Sequence, residues 1–217
     1  MKVMIVSDTI CPWCYVGKRR FERAFAERTD VKPDIEWRPF QLNPDMPADG
    51  LDRGAYMRAK FGTDERAEEI YATIRSAGDG ENIPFAFDSI SRVPNTIGSH
   101  RLISWSLPSG QQDSVVEGLF RSYFMAGQDI GDIEVLVKVA AAAGLDETEA
   151  RAYLSGEEGV EQARAESLEA HRLGISGVPC FIFDGKYAVS GAQEPEVFSQ
   201  VIDLALQPDE ADQVEVL

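Results

Sequence analysis

Cysteine is scarce in this 217-residue chain, with three residues, and histidine scarcer still, with two. Three thiols cannot all pair within one chain, which argues against a disulfide-stapled scaffold. Few cysteines with one close pair read instead as catalytic or metal-binding. A run of about 18 apolar residues is missing too, so no transmembrane helix and no membrane partner are expected. No signal peptide is expected either: after Lys2 the apolar run lasts a few residues before Asp8 ends it. Together these absences predict a cytoplasmic protein. Basic side chains are also short, 21 Lys and Arg against 37 Asp and Glu, for a formal net charge of −16. A surface of that sign repels phosphate backbones, which excludes nucleic acid as an expected partner; solubility accounts for it more simply than an acidic recognition face. The remaining composition, 44% hydrophobic, is ordinary for a globular chain with a sizeable core.

What is present begins at once. Residues 2–8 are an apolar, branched run that reads as a buried strand, and it ends at Cys11-Pro12-Trp13-Cys14, where a helical pattern begins and runs over 12–28. Residues 35–38 alternate as a second strand, and a helix between two strands predicts a parallel pair with a right-handed crossover. From there the pattern is helical, at 53–61, 64–77, 95–106, 113–126, 132–143, 146–154 and 158–173. Gly62, Gly78, Gly127 and Gly144 serve as expected helix ends, and Asp146 with Glu149 as a capping box. Strands return at 179–183 and 186–190, joined by the hairpin signal Asp184-Gly185, and a helix over 194–206 follows. The order β-α-β, helices, β-β-α places the halves of one small sheet at the two ends. The fold class is therefore α/β, a thioredoxin-type sheet with a large all-helical insertion. The thioredoxin-like part spans 1–48 and 174–207, the insertion 49–173, and 208–217 form an acidic tail.

Helical geometry puts positions 11 and 14 about 60° apart around the axis, close enough for their sulfurs to bond. Cys14 shares a face with Phe21, Ala24 and Phe25 and points inward, whereas Cys11 is expected at an exposed tip. Pro12 suits the first helical position, and the free amides and positive dipole of the helix start favour a thiolate at Cys11. Cys11 is thus the expected nucleophile, and Cys14 the thiol that attacks a mixed disulfide formed on it. Trp13 points outward as an aromatic that shapes partner contact. A zinc site is the alternative for such a pair, but it needs two more ligands. Cys180, His100 and His171 are the remaining soft candidates, none forms a second close pair, and no metal is expected.

Val178-Pro179 opens the strand at 179–183, and a cis bond there, beside the cysteines, would present the Val178 backbone to an incoming peptide or thiol compound. Cys180 is expected as a buried, unpaired thiol, because strand alternation sends its side chain away from Cys11. His100 is expected to pack or to line a helix surface rather than act in the site. His171, in the last turn of a helix, receives no role.

The motifs Ser7-Asp8, Cys11-Pro12-Trp13-Cys14-Tyr15-Val16-Gly17, Trp37-Arg38-Pro39-Phe40-Gln41-Leu42-Asn43-Pro44, Pro94-Asn95-Thr96 with His100-Arg101-Leu102, Gly127-Gln128-Asp129-Ile130 and Gly174-Ile175-Ser176-Gly177-Val178-Pro179 run through nearly the whole chain. In them the sequence resembles the DsbA family of thioredoxin-fold oxidoreductases, in particular its cytoplasmic FrnE-like branch. The resemblance implies a thioredoxin domain whose helical insertion caps the active site, and thiol-disulfide exchange on protein or small-molecule disulfides. Matched position by position, Cys11 is the attacking cysteine, Cys14 the resolving one and Val178-Pro179 the cis-proline loop. Cys180 departs from the family pattern, which has an aromatic or small hydroxyl residue after that proline.

Two other readings are of different kinds. The chain resembles glutathione-dependent isomerases of the 2-hydroxychromene-2-carboxylate type and kappa-class glutathione transferases, but those carry a serine where Cys11 stands, and the presence of both cysteines favours redox chemistry. A holdase-like interaction module using the helical insertion would work unchanged without either thiol. The expected partner is a disulfide or dithiol substrate. No bound cofactor is expected, glutathione enters as a candidate thiol co-substrate, and an oligomer is compatible with the sequence.

Overall fold

The computed structural model describes residues 1–207; the tail expected over 208–217 lies outside the described residues. Strand β1 (Lys2–Ser7) leads through a short loop into α1 (Pro12–Ala26), and the chain returns as β2 (Asp34–Pro39) parallel to β1, with Ile5 opposite Trp37. Near the other end of the chain come β5 (Cys180–Phe183) and β6 (Tyr187–Ser190), then α9 (Pro195–Leu206). β5 is antiparallel to β1, Val6 opposite Cys180, so the four-stranded sheet has the order β2-β1-β5-β6. The hairpin between β5 and β6 is turned by Asp184 and Gly185, both at positive φ, as a tight turn matched to strand twist requires.

Alternation along β1 and β5 sorts side chains onto two faces. Val3, Ile5, Phe181 and Phe183 join α1 and α9 in the main core, where Phe21 stacks on Phe181 at 5.3 Å and Phe198 meets Phe181 edge-on at 4.8 Å. Val6 and Cys180 turn the other way and pack with Phe40 and with Ala170 of α8 (Val160–Arg172). Truncating a ring such as Phe181 would cost about 3–5 kcal/mol.

Between β2 and β5 the chain is helical: α2 (Arg53–Phe61), α3 (Asp64–Gly80), α4 (Ile97–Trp105), α5 (Gln112–Phe120), α6 (Ile133–Ala142), α7 (Glu147–Ser155) and α8. The expected cap is present, the Asp146 carboxylate accepting the Glu149 N–H at 2.9 Å. Three local features differ from expectation. Two-residue strands β3 (Leu51–Asp52) and β4 (Arg92–Val93) pair antiparallel; a strand that short leaves no periodicity to read. Gly78 does not end α3, which runs on to Gly80. It is buried where a Cβ would fall 2.5 Å from the Phe85 ring, so its role is close packing. The helix expected over 113–126 ends in a π-helical turn, Arg121–Met125, which buries the consecutive side chains Tyr123 and Phe124.

Candidate active site

Cys11 occupies the N-cap position of α1 with extended backbone, and Pro12 follows at the first helical position, where no N–H is needed. The Cys11 N–H donates to the Asp8 carbonyl and the Cys14 N–H to the Cys11 carbonyl, each at 3.0 Å, which folds the strand end tightly into the helix. The two cysteines approach to 3.5 Å, and both are free thiols. Cys14 is 1% exposed and Cys11 only 5%. The expectation of an exposed Cys11 is thus corrected: the helical segment lies over the start of α1 and encloses the sulfur in a cavity rather than leaving it at a bare tip.

Across from the pair, the Val178-Pro179 bond is cis, and the Cys11 Sγ donates to the Val178 carbonyl at 3.6 Å. Gly17 permits this close approach, since a Cβ there would fall 2.8 Å from Pro179 Cγ. The Cys14 thiol is pushed well above its ordinary range, first by burial and then by its contact with Cys11; hydrogen bonds from the Ser7 hydroxyl and the Asp8 backbone pull the other way. Cys180 is a buried free thiol on the opposite sheet face, pushed up by burial alone.

Above Cys11 lies a cavity of about 330 Å³. Its floor is Ile10, Cys11, Pro12, Trp13, Gly177 and Val178, and its roof comes from α2, α3 and the segments that follow: Arg53, Tyr56, Lys60, Tyr71, Phe87, Tyr123 and Phe124 among them. Trp13 is half-buried in this wall rather than free on the surface. Sequence reasoning missed the roof residues entirely. Their spacing is that of ordinary helices, and only the packing of α2 and α3 over α1 brings them to the sulfur; Tyr123 and Phe124 owe their joint presence to the π-helical turn.

His100 is buried in α4, away from the lining of this cavity. Its Nε2 faces the Phe40 carbonyl at 3.1 Å and Asp8 Oδ1 at 3.3 Å. Asp8 is fully buried, and its Oδ2 accepts the Leu42 N–H at 2.8 Å, so the pair ties the loop before Cys11 to α4 and to the chain after β2. His171 is exposed against the Phe40 ring. Among the described residues no group of three or more His, Cys, Asp or Glu is arranged to hold a metal ion. No helix among them is long and apolar enough to cross a membrane.

A paired thiol at the start of the first helix, set against a proline loop on the central sheet, defines a thioredoxin-fold protein of the dithiol type. Residues 2–203 match the DSBA-like thioredoxin domain, and the chain belongs to that family. It is similar to the crystal structure of a probable DsbA oxidoreductase from Streptomyces coelicolor, with 33% identity, a TM-score of 0.86, and 97% of this chain and 93% of that one covered. An uncharacterized protein of Bacillus subtilis, YwbO, is 28% identical over 202 residues, covering 92% of this chain and 94% of its own length. The cytosolic disulfide reductase DsbM of Pseudomonas aeruginosa, solved with GSH, shares the fold at 18% identity with a TM-score of 0.68, over 95% of this chain and 99% of its own.

Proposed function

We propose that the protein is a thiol-disulfide oxidoreductase working through Cys11 and Cys14 in the cytoplasm. The observation that carries this reading is the placement of two free thiols 3.5 Å apart, one lining a cavity and the other sealed behind it. The Cys11 thiolate attacks one sulfur of a substrate disulfide, forming a mixed disulfide and releasing the other half as a thiolate. Cys14 then loses its proton and attacks Cys11 Sγ, releasing the second half. The substrate gains two electrons and the protein is left with a Cys11–Cys14 disulfide. A low-molecular-weight thiol such as glutathione, as co-substrate, returns the protein to the dithiol. The same steps run backward oxidise a dithiol. Pro12 and Trp13 support the site, and Val178 with Pro179 docks the substrate beside Cys11, the Val178 carbonyl lying next to the attacking sulfur.

Turnover of a disulfide substrate by cysteine variants tests this. Cys11→Ser abolishes exchange, Cys14→Ala accumulates the Cys11 mixed disulfide visible by intact mass, and Cys180→Ala keeps activity within about threefold because its thiol lies on the far sheet face. Full activity in Cys11→Ser would overturn the proposal.

A further inference from the structure

Charge is distributed unevenly between the cavity over Cys11 and the other hollows of the molecule. Four other surface hollows each include at least one carboxylate side chain, as expected in a chain of net charge −16. The cavity over Cys11 includes none, and it holds two cations, Arg53 and Lys60. Neither cation forms an ion pair among the described residues. The Arg53 guanidinium sits 5.0 Å from the Tyr71 ring centroid, and Lys60 Nζ donates to the Tyr56 hydroxyl at 2.9 Å. The rest of the lining is mostly apolar and aromatic, with Ile74, Phe87 and Phe124 all buried.

Three physical constraints then act on the substrate. A volume of about 330 Å³ is at the low end of the range for pockets that take small molecules. Apolar walls make it costly to desolvate peptide groups that find no partner there. Cations that line an otherwise largely apolar cleft and have no carboxylate partner favour a negative charge on the ligand, through charge-assisted hydrogen bonds.

We propose that the substrate is a small hydrophobic disulfide or thiol carrying an acid group, its apolar body against the aromatic wall and its acid on Arg53 and Lys60. This rests on the thiol-disulfide reading above and names the substrate class of the same site. The acid anchors the molecule by one end and brings its sulfur to Cys11; exchange then proceeds with the electron balance already given.

Binding and chemistry are tested separately. Titration calorimetry on the reduced protein compares 2-naphthoate with its uncharged isostere 2-naphthamide, neither of which can undergo exchange. The expected preference for naphthoate is about tenfold, shrinking to roughly twofold in Arg53→Gln/Lys60→Gln and largely restored in the charge-conserving Arg53→Lys/Lys60→Arg. The kinetic arm follows reaction of Cys11 with the dianionic aromatic disulfide dithiobis(nitrobenzoate) and with neutral dithiodipyridine. The Gln variant slows the first by about tenfold and the second by less than about twofold. Equal binding of the two naphthalenes, a preference that survives the Gln variant, or equal slowing of both disulfides would overturn the proposal. Absence of the charge preference in the wild-type protein, with exchange intact, sinks the substrate class alone, whereas exchange persisting in Cys11→Ser sinks the redox reading beneath it.

Discussion

At the scale of single residues the two thiols of one motif have opposite environments. Cys14 has no exposed surface to speak of, and burial together with its neighbour pushes its thiol up, so it is held protonated in the resting protein. Cys11 is almost as buried by area, but it opens onto the cavity and stands at a helix start. A short iodoacetamide pulse near neutral pH, mapped by mass spectrometry, is therefore expected to label Cys11 first. Equal or faster labelling at Cys14 would reverse the roles assigned to the pair. The third thiol, Cys180, packs with Val6 and Phe40 across the sheet. It follows the proline loop in sequence, yet strand alternation separates it from Cys11.

At the scale of elements, α1 is the part everything else is built against. One side packs on the sheet through Phe21, and its first turns press against the proline loop at Gly17. Adding one methyl there puts a Cβ 2.8 Å from Pro179 Cγ and 3.3 Å from Phe181 Cζ. Gly17→Ala is expected to destabilise by roughly 1–3 kcal/mol through overpacking, although alanine is the better helix former. A denaturant midpoint equal to or above wild type would show that the loop yields without cost. The other side of α1 meets α5 through Lys18, which is 2% exposed and paired with Glu22, with Asp113 at 3.2 Å and with Glu117 at 3.4 Å. Burial alone would lower this ammonium, but the three carboxylates outweigh it and hold it above its usual value. Arg19, bound to Glu22 and Glu117, completes the seam. These charges tie α1 to α5 along the side of the helix away from the sheet.

At the scale of the whole molecule, the buried and half-buried thiols and phenols act in one direction. Cys14, Cys180, Tyr15, Tyr71, Tyr123 and Tyr153 are all raised, with burial the leading cause for each. A group raised in the folded state keeps its proton there after the unfolded chain has lost it. Its contribution is whole below the unfolded value and is lost as pH climbs toward the folded one. The thermal midpoint of the reduced protein should therefore fall steadily from about pH 8 to about pH 10.5. A midpoint that stays level or rises over that range would contradict the burial of these groups.

Most of the secondary structure was legible in the sequence because it rests on local physics. A branched apolar run, a proline at the first helical position, Asp-Gly at a hairpin and a capping aspartate each fix their own neighbourhood. The dicysteine was equally legible, since a three-residue offset on a helix places two sulfurs on adjacent sides whatever the rest of the chain does. The enclosure of Cys11 was not legible, nor was the gathering of Arg53, Lys60, Tyr71 and Tyr123 above it. These depend on how α2 and α3 pack across the start of α1, through contacts between residues far apart in the chain that carry no periodic signal. The π-helical turn at Arg121–Met125 is decided the same way, by a core that takes in Tyr123 and Phe124 together. Local sequence therefore determined where the two thiols stand, and tertiary packing alone decided what can reach them, because access to a buried sulfur is set by the elements that cover it.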